Sequence, residues 1–404
     1  MNPLHLGGFG VEIQASNPKP HAELMITNGR RSESLPERYL FLPRKIVYDS
    51  IILENCTGHV SLSALRWLSK HNIPIFFLNF DGSTISSILP PTPVKADLRA
   101  AQFQAANDPE KKFRIAHALV EAKIARSIQV LDWLAQRYDI QREVQVTNGE
   151  AVKLGEASTV NQLRTVEGRT ALRYWEAFRK TLPESLHFEG RMTTSHNNNA
   201  SDPFNAALNY GYGYLKIMCR TAINSVGLEP AVGFLHELSS TQTAESLVYD
   251  LEEPFRWLID LCVIQAFETG SLGLADFAFT KDNYEYRIEW EGKTRLRQLL
   301  TETFNSRVRY GGQVLKWDTV IEQKTLELSR YLTGKAPTLD FNEPAPTLER
   351  QDNREVRENI LALTQSEARQ RGIGKSTLHY LHKNAHERSS FRLYEPVRRK
   401  LLGG

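Results

Sequence analysis

The chain has 404 residues, 41% hydrophobic and 24% charged, an ordinary globular composition with room for two or three domains. No run approaches the roughly 18 apolar residues of a membrane span, and MNPLHLGGFGVEIQASNPKP lacks the basic start and apolar core of a signal peptide. Three dispersed cysteines, Cys56, Cys219 and Cys262, fit reduced core thiols of a cytoplasmic protein better than a disulfide frame or a zinc knuckle. The net charge of +3 is uneven: residues 350–404 carry 12 Lys/Arg against 6 Asp/Glu, so a basic tail follows a body near −3. That asymmetry points to an appended module for a polyanion, against the plainer reading of a solvated helical surface.

From residue 22 to about 95 the pattern is β-rich. MITNGRRSESL holds an Asn28-Gly29 turn signal, and YLFLP, KIVYDSIILE and HVSLSAL are short β-branched or aromatic runs between turn residues. LSALRWLSKHN has helical spacing at Leu62, Leu65 and Leu68, and IPIFFLNFDG reads as a buried strand ending at Asp81-Gly82. LPPTPV then interrupts any sheet or helix and marks a boundary. Beyond Lys95 the period is helical: Ile115, Leu119, Ile124, Ile128, Leu131 and Leu134 recur at three and four. Further helical patterns lie in TVEGRTALRYWEAFRKTL, FNAALNYGYGYLKIMCRTAINSV, LEEPFRWLIDLCVIQAFET and LRQLLTETFNSRV. MTTSHNNNASDP reads as a polar loop, and GKAPTLDFNEPAPTLE as a Pro/Gly-interrupted linker.

Three segments carry chemistry. Val166-Glu167-Gly168 opens a helix holding Tyr174, Trp175 and Phe178; Gly233-Phe234-Leu235-His236 sets an imidazole in an apolar collar; Asp250-Leu251-Glu252-Glu253 is a run of acids. Residues 250 and 253 share one helix face, and Glu252 points elsewhere. Two carboxylates and one imidazole suit magnesium or manganese and phosphodiester chemistry. Taken singly, each residue has a plainer role. Glu167 suits a helix N-terminus, His236 a hydrogen-bonded core, and Asp250 and Glu253 the first turn of the next helix. Tyr210 and Tyr212 in LNYGYGYL could be nucleophiles, but the segment reads more simply as a core helix in which Gly211 and Gly213 allow close packing.

EGRTALRYW, NAALNYGYGYL, AINSVGLEPAVGFLH and SLVYDLEEPFRWLID, in that order, resemble the CRISPR-associated adaptation integrases over roughly residues 22–335. The resemblance implies an N-terminal β-domain, a larger all-α catalytic domain, and metal-dependent transesterification that joins a DNA 3′-hydroxyl to a target duplex. It implies metal ligands at Glu167, His236 and Glu253, with Asp250 as a neighbouring catalytic acid close to the ion or the DNA. Arg256 is added as a DNA contact. Trp257, where the family commonly has Pro, and Ala244, where Arg is frequent, are departures that leave substrate contacts open.

TQSEARQRGIGKSTLHYLHKN, with small Ala368, Gly372, Leu378 and Leu381, resembles a helix-turn-helix: the small residue permits a close crossing and the leucines seat the second helix. Lys375, Ser376, Thr377, His379, Tyr380 and Lys383 would then lie at the start or outer face of the recognition helix, where they suit phosphates and base edges. An integrase body with this tail looks most like a casposase, acting on the terminal repeats of a mobile element and a target duplex as a homodimer or larger assembly on DNA. The alternatives are a CRISPR spacer-acquisition integrase/endonuclease and a DNA-binding regulator. The expected architecture is a multidomain α+β chain: a β-rich domain (1–94), an α-helical catalytic domain (95–335), a linker (336–349) and a helix-turn-helix (350–404).

Overall fold

Pro3–Ala15 (β1), Leu24–Thr27 (β2), Arg38–Phe41 (β3), Ser50–Val60 (β4), Ile75–Leu78 (β5) and Thr84–Ile88 (β6) form one sheet in the order β3-β2-β1-β4-β5-β6. The computed structural model describes residues 2–16, 22–30, 36–91, 95–191, 200–236, 245–281, 284–342, 344, 359–387 and 401. β1 runs parallel to β4, and β4 to β5; the remaining pairs are antiparallel. The helix α1 (Leu62–Lys70) crosses from β4 to β5, its N-cap Ser61 accepting from Ala64 N at 3.1 Å. Its Ala64, Trp67 and Leu68 bury against Leu6, Ile13, Leu24 and Ile51 on one sheet face. The long first strand escapes the sequence reading because Gly7, Gly8 and Gly10 look like a turn. Gly8 and Gly10 do adopt φ of 89° and 80°, but as bulges inside the β1–β4 ladder.

Strand alternation in β4 sends Ile51 and Leu53 to that core and Ile52 and Glu54 to the opposite face. There Ile52, Phe76 and Leu78 meet Ile217 of the helical domain. Glu54, 2% exposed, accepts from Tyr210 Oη at 2.9 Å and pairs with Lys293 Nζ at 2.5 Å and Arg297 Nη1 at 3.1 Å. Lys293 also donates to the carbonyl of Phe80 at 2.7 Å. This latch joins sheet to helices. Glu54→Ala strands two buried cations, so unfolding free energy should fall by about 3–5 kcal/mol in urea titrations. A loss below about 1 kcal/mol would show that the cations are compensated otherwise.

The helical domain comprises Ala96–Asn107 (α2), Pro109–Ala135 (α3), Gln141–Ala151 (α4), Val160–Arg179 (α5), Pro203–Val226 (α6), Ser246–Glu252 (α7), Arg256–Glu268 (α8), Trp290–Asn305 (α9) and Trp317–Leu332 (α10). α6 and α8 are buried on nearly every face and form its centre. Gly211 abuts Ile259 of α8, and Gly213 abuts the carbonyl of Gly82; a Cβ at either would collide, as the close-packing reading requires. The domain also carries two short hairpins, Phe277–Thr280 with Glu285–Ile288 and Arg307–Tyr310 with Gln313–Lys316. Four-residue strands have too few alternations to stand out from helical periodicity.

The polar stretch 192–199, Ala244, and positions 343 and 345–349 of the expected linker lie outside the described residues. The first half of that linker is packed: Phe341 is 4% exposed in the helical core, and Lys324 Nζ donates to the carbonyl of Asp340 at 2.7 Å. In the tail, Gln365–Gln370 (α11) and Lys375–Glu387 (α12) flank a turn in which Gly372 has φ of 67°. Thr364 and Glu367 form a reciprocal cap on α11. Ala368, Leu378 and Leu381 join Ile360, Leu363, Ile373, Ala385 and Leu401 in a separate small core.

Candidate active site

Four elements converge at one face of α6 and α8. The helix α5 starts at Val160, after the N-cap Thr159 and its reciprocal partner Gln162, so Glu167 lies two turns into the helix, not at its opening. The N-terminal-acid reading therefore falls. Arg164, one turn earlier, donates to the carbonyl of Leu235 at 2.7 Å and ties α5 to the segment that ends at His236. Gln102 of α2, fully buried, holds the same segment by bonds to the carbonyls of Glu229 (2.9 Å) and Val232 (2.8 Å).

The carboxylate of Asp250 organises His236. It accepts backbone N–H bonds from Phe234 (2.5 Å), Leu235 (3.0 Å) and His236 (2.8 Å), and contacts His236 Nδ1 at 2.8 Å. Gly233 makes room: a Cβ there would meet Ser246 and an Asp250 oxygen at 2.8 and 2.9 Å. With Nδ1 held, Nε2 faces Glu253 Oε1 at 3.9 Å. Burial lowers the imidazole pKa, but the hydrogen bond and charge of Asp250, with Glu253, outweigh it and raise it. Asp250 is itself fully buried, so its part is to aim the ring.

Glu253, 4% exposed, begins the short turn Glu253–Phe255 between α7 and α8. Its neighbours are Arg256 Nε at 3.2 Å and Lys123 Nζ at 2.6 Å, the latter from α3. Burial raises a carboxyl pKa, yet Arg256, Lys123 and His236 together bring this one down to about 2. Lys123 Nζ also bonds Glu167 Oε1, so one ammonium lies where the carboxylates of α5 and of the turn after α7 converge. Glu252 turns the other way, as its spacing predicts, with Arg256 Nη2 at 3.5 Å; burial pushes it up to about 7. Arg256, expected among the DNA contacts, is engaged by both acids and lies over the ring of Tyr212 at 4.8 Å.

Beside these groups a cavity of about 200 Å³ is lined by Lys123, Glu167, Glu253, Arg256, Tyr212 and Asp260, among others. Tyr174 and Tyr212 donate to Asp260 at 2.8 and 2.5 Å. Burial pushes Asp260 up to about 6 and both phenols well above their ordinary value. Buried phenols so disposed are poor nucleophiles, and Tyr210 is likewise bound to Glu54. Trp257 packs on Trp317 with ring centres 5.2 Å apart.

The donor chemistry of Glu167, His236 and Glu253 suits a hard divalent ion, and the Lys123 ammonium marks where two of them already share a cation. Among the described residues no three His, Cys, Asp or Glu side chains stand close enough to ligate an ion as they are. In the tail, Lys375, Ser376, His379 and Lys383 are exposed and Thr377 is partly so. Tyr380 donates its hydroxyl to the carbonyl of Glu268 at 2.9 Å. Among the described residues no helix is long and apolar enough to cross a membrane.

Lys123 and Gln102 were not singled out in the sequence. Each is one polar residue on an amphipathic helix, and no local signal separates it from its neighbours.

The family model described as CRISPR associated protein Cas1 matches residues 37–302. The chain is similar to a casposase solved bound to integration product: 36% identity, TM-score 0.80, with 90% of this chain and 99% of the other covered. It is 28% identical to CRISPR-associated endonuclease Cas1 1 of Archaeoglobus fulgidus, over 68% of this chain and 84% of that protein. It is 31% identical to CRISPR-associated endonuclease Cas1 of Methanopyrus kandleri, over 56% of this chain and 67% of that protein.

Proposed function

The chain belongs to the CRISPR-associated Cas1 family, and on that premise we propose that it is a metal-dependent DNA integrase of the casposase kind. It joins the 3′-hydroxyl of a DNA end to a target duplex by transesterification. The observation that carries the chemistry is the convergence of Glu167 and Glu253 on one cation, with His236 Nε2 turned toward the second carboxylate. The casposase reading draws on the similarity to a casposase over 90% of the chain and on the basic helix pair at its end.

Glu167, His236 and Glu253 would hold magnesium or manganese. When bound, such an ion polarises the scissile phosphate and lowers the pKa of the attacking hydroxyl. Asp250 keeps the imidazole in one orientation with Nε2 outward. Arg256 balances the charge of Glu252 and Glu253, so that two adjacent buried acids coexist. The basic tail binds the phosphates of the element's terminal repeats, and the protein acts on DNA as a homodimer or larger assembly. A second reading, spacer insertion into a CRISPR array, is favoured by the names of the curated relatives. Joining assays separate the two. The purified chain alone should insert terminal-repeat ends in manganese. Activity only on spacer-like DNA at a repeat, and only with an added partner protein, would favour the second reading.

Asp250→Asn retains the size of the side chain but removes its charge from His236. Manganese affinity should fall about 10- to 100-fold, measured by calorimetry, with an unchanged circular dichroism spectrum. Wild-type affinity in this variant would show that the ring holds its orientation unaided.

A further inference from the structure

We propose that Lys123 couples metal binding to DNA binding: its ammonium closes the Glu167–Glu253 pair in the metal-free protein, and an incoming ion displaces it toward a DNA phosphate. The inference rests on the assignment of Glu167, His236 and Glu253 as the ion's ligands.

The geometry is an exchange of cations. Lys123 Nζ bonds Glu167 Oε1 and stands 2.6 Å from Glu253 Oε2, each oxygen brought by a different element. An ion using those carboxylates would meet the ammonium at contact distance, with the Arg256 guanidinium already 3.2 Å from Glu253 Oε1. Three positive centres around two carboxylates repel one another in a partly buried site. Both side chains border the cavity, but Arg256 keeps Glu252 and the Tyr212 ring when an ion takes Glu253, whereas both partners of Lys123, Glu167 and Glu253, are the ion's own ligands. Lys123 is therefore the group that moves.

Its destination follows from the cavity wall. Besides Glu167 and Glu253, the one acid among the described lining residues is Asp260. That carboxyl already accepts from Tyr174 and Tyr212 and lies near Arg256 and Arg191. A released ammonium thus finds no free carboxylate there, and a nucleic-acid phosphate at the mouth supplies the counter-charge. By linkage, whatever factor the ion contributes to DNA affinity, DNA contributes to ion affinity.

The test titrates manganese into the full-length protein, Lys123→Met and Lys123→Gln, with and without duplex DNA ending in a dideoxynucleotide, so that no joining occurs. Both variants should bind manganese at least about fivefold more tightly than wild type in the absence of DNA. In EDTA their DNA affinity should equal that of wild type, because the lysine is then engaged by the two glutamates. In manganese, wild-type DNA affinity should rise by more than that of the variants, which keep only the ion's own contact with phosphate. Manganese binding by the variants that is unchanged or weaker would overturn the proposal and leave Lys123 a structural ion-pair partner. Metal–DNA coupling of undiminished size without the lysine would overturn it equally. Glu253→Ala is the control: undiminished manganese binding there rejects the ligand assignment itself, and this inference with it.

Discussion

Glu253→Ala should reduce DNA joining in manganese by about a thousandfold or more, while the Kd for DNA stays within a few-fold of wild type. Glu253 is nearly inaccessible and ionised far below neutral pH, so it is a permanent anion facing the imidazole, Lys123 and Arg256. Its loss removes a proposed ion ligand and leaves Lys123 with Glu167 and Arg256 with Glu252 as their remaining acids. Affinity for DNA survives because phosphate contacts made elsewhere dominate it. Glu253→Gln, of equal size, separates chemistry from folding: it should be as inactive as the alanine variant but closer to wild type in thermal stability. Glu167→Ala and His236→Ala should match it in activity. Normal joining by His236→Ala in manganese would reject the metal assignment. The sequence reading ranks Asp250→Ala as milder than Glu253→Ala. The structure gives Asp250 three backbone N–H donors and the ring nitrogen of His236. Its removal should therefore abolish joining and also lower the melting temperature, and the second effect distinguishes it from Glu253→Gln.

Deleting residues 350–404 should leave a folded, manganese-binding protein that no longer prefers its own DNA ends. The helix pair has a hydrophobic core of its own, and Phe341, before the cut, keeps the chain anchored to the helical domain. Deletion does expose the surface around Glu268, where Tyr380 docks. It also removes 12 basic and 6 acidic residues, so the remaining body is mildly acidic. Affinity should fall and its salt dependence should become shallower, since fewer counterions are released. Lys375→Ala and Lys383→Ala should each reduce the slope by about one if each meets a phosphate. Thr377 and His379 substitutions should instead change the preferred sequence. The measurement is joining of cognate and scrambled ends across a salt series. Equal discrimination by the truncated enzyme would place specificity in the catalytic domain and make the tail an assembly element.

Much of this protein is legible in its sequence because the signals are local. Helical spacing from Ile115 to Leu134 and from Leu62 to Leu68, and the Ala368–Gly372–Leu378–Leu381 pattern, each lie within one or two elements, and the structure has helices at all three, although α1 buries Ala64, Trp67 and Leu68 and leaves Leu62 exposed. The order of motifs nominates Glu167, His236 and Glu253, and the fold brings Glu167 and Glu253 to one lysine with His236 Nε2 facing Glu253. Composition marked the basic tail. Tertiary structure alone decided how these residues serve one another. Lys123 reaches Glu167 across 44 residues because α3 packs on α5 and on the turn that begins at Glu253. Asp250 reads in sequence as a catalytic acid beside the ligands, and the fold buries its carboxylate under a loop whose N–H groups and imidazole it orients. Glu54 reads as one more strand residue until α6 and α9 bring Tyr210, Lys293 and Arg297 to it. The reason is the same each time. Periodicity and motif order report which face of an element is apolar and which residues carry charge. Which charge neutralises which is a property of packing between distant elements, where burial makes an unpaired ion costly and so selects the pairs.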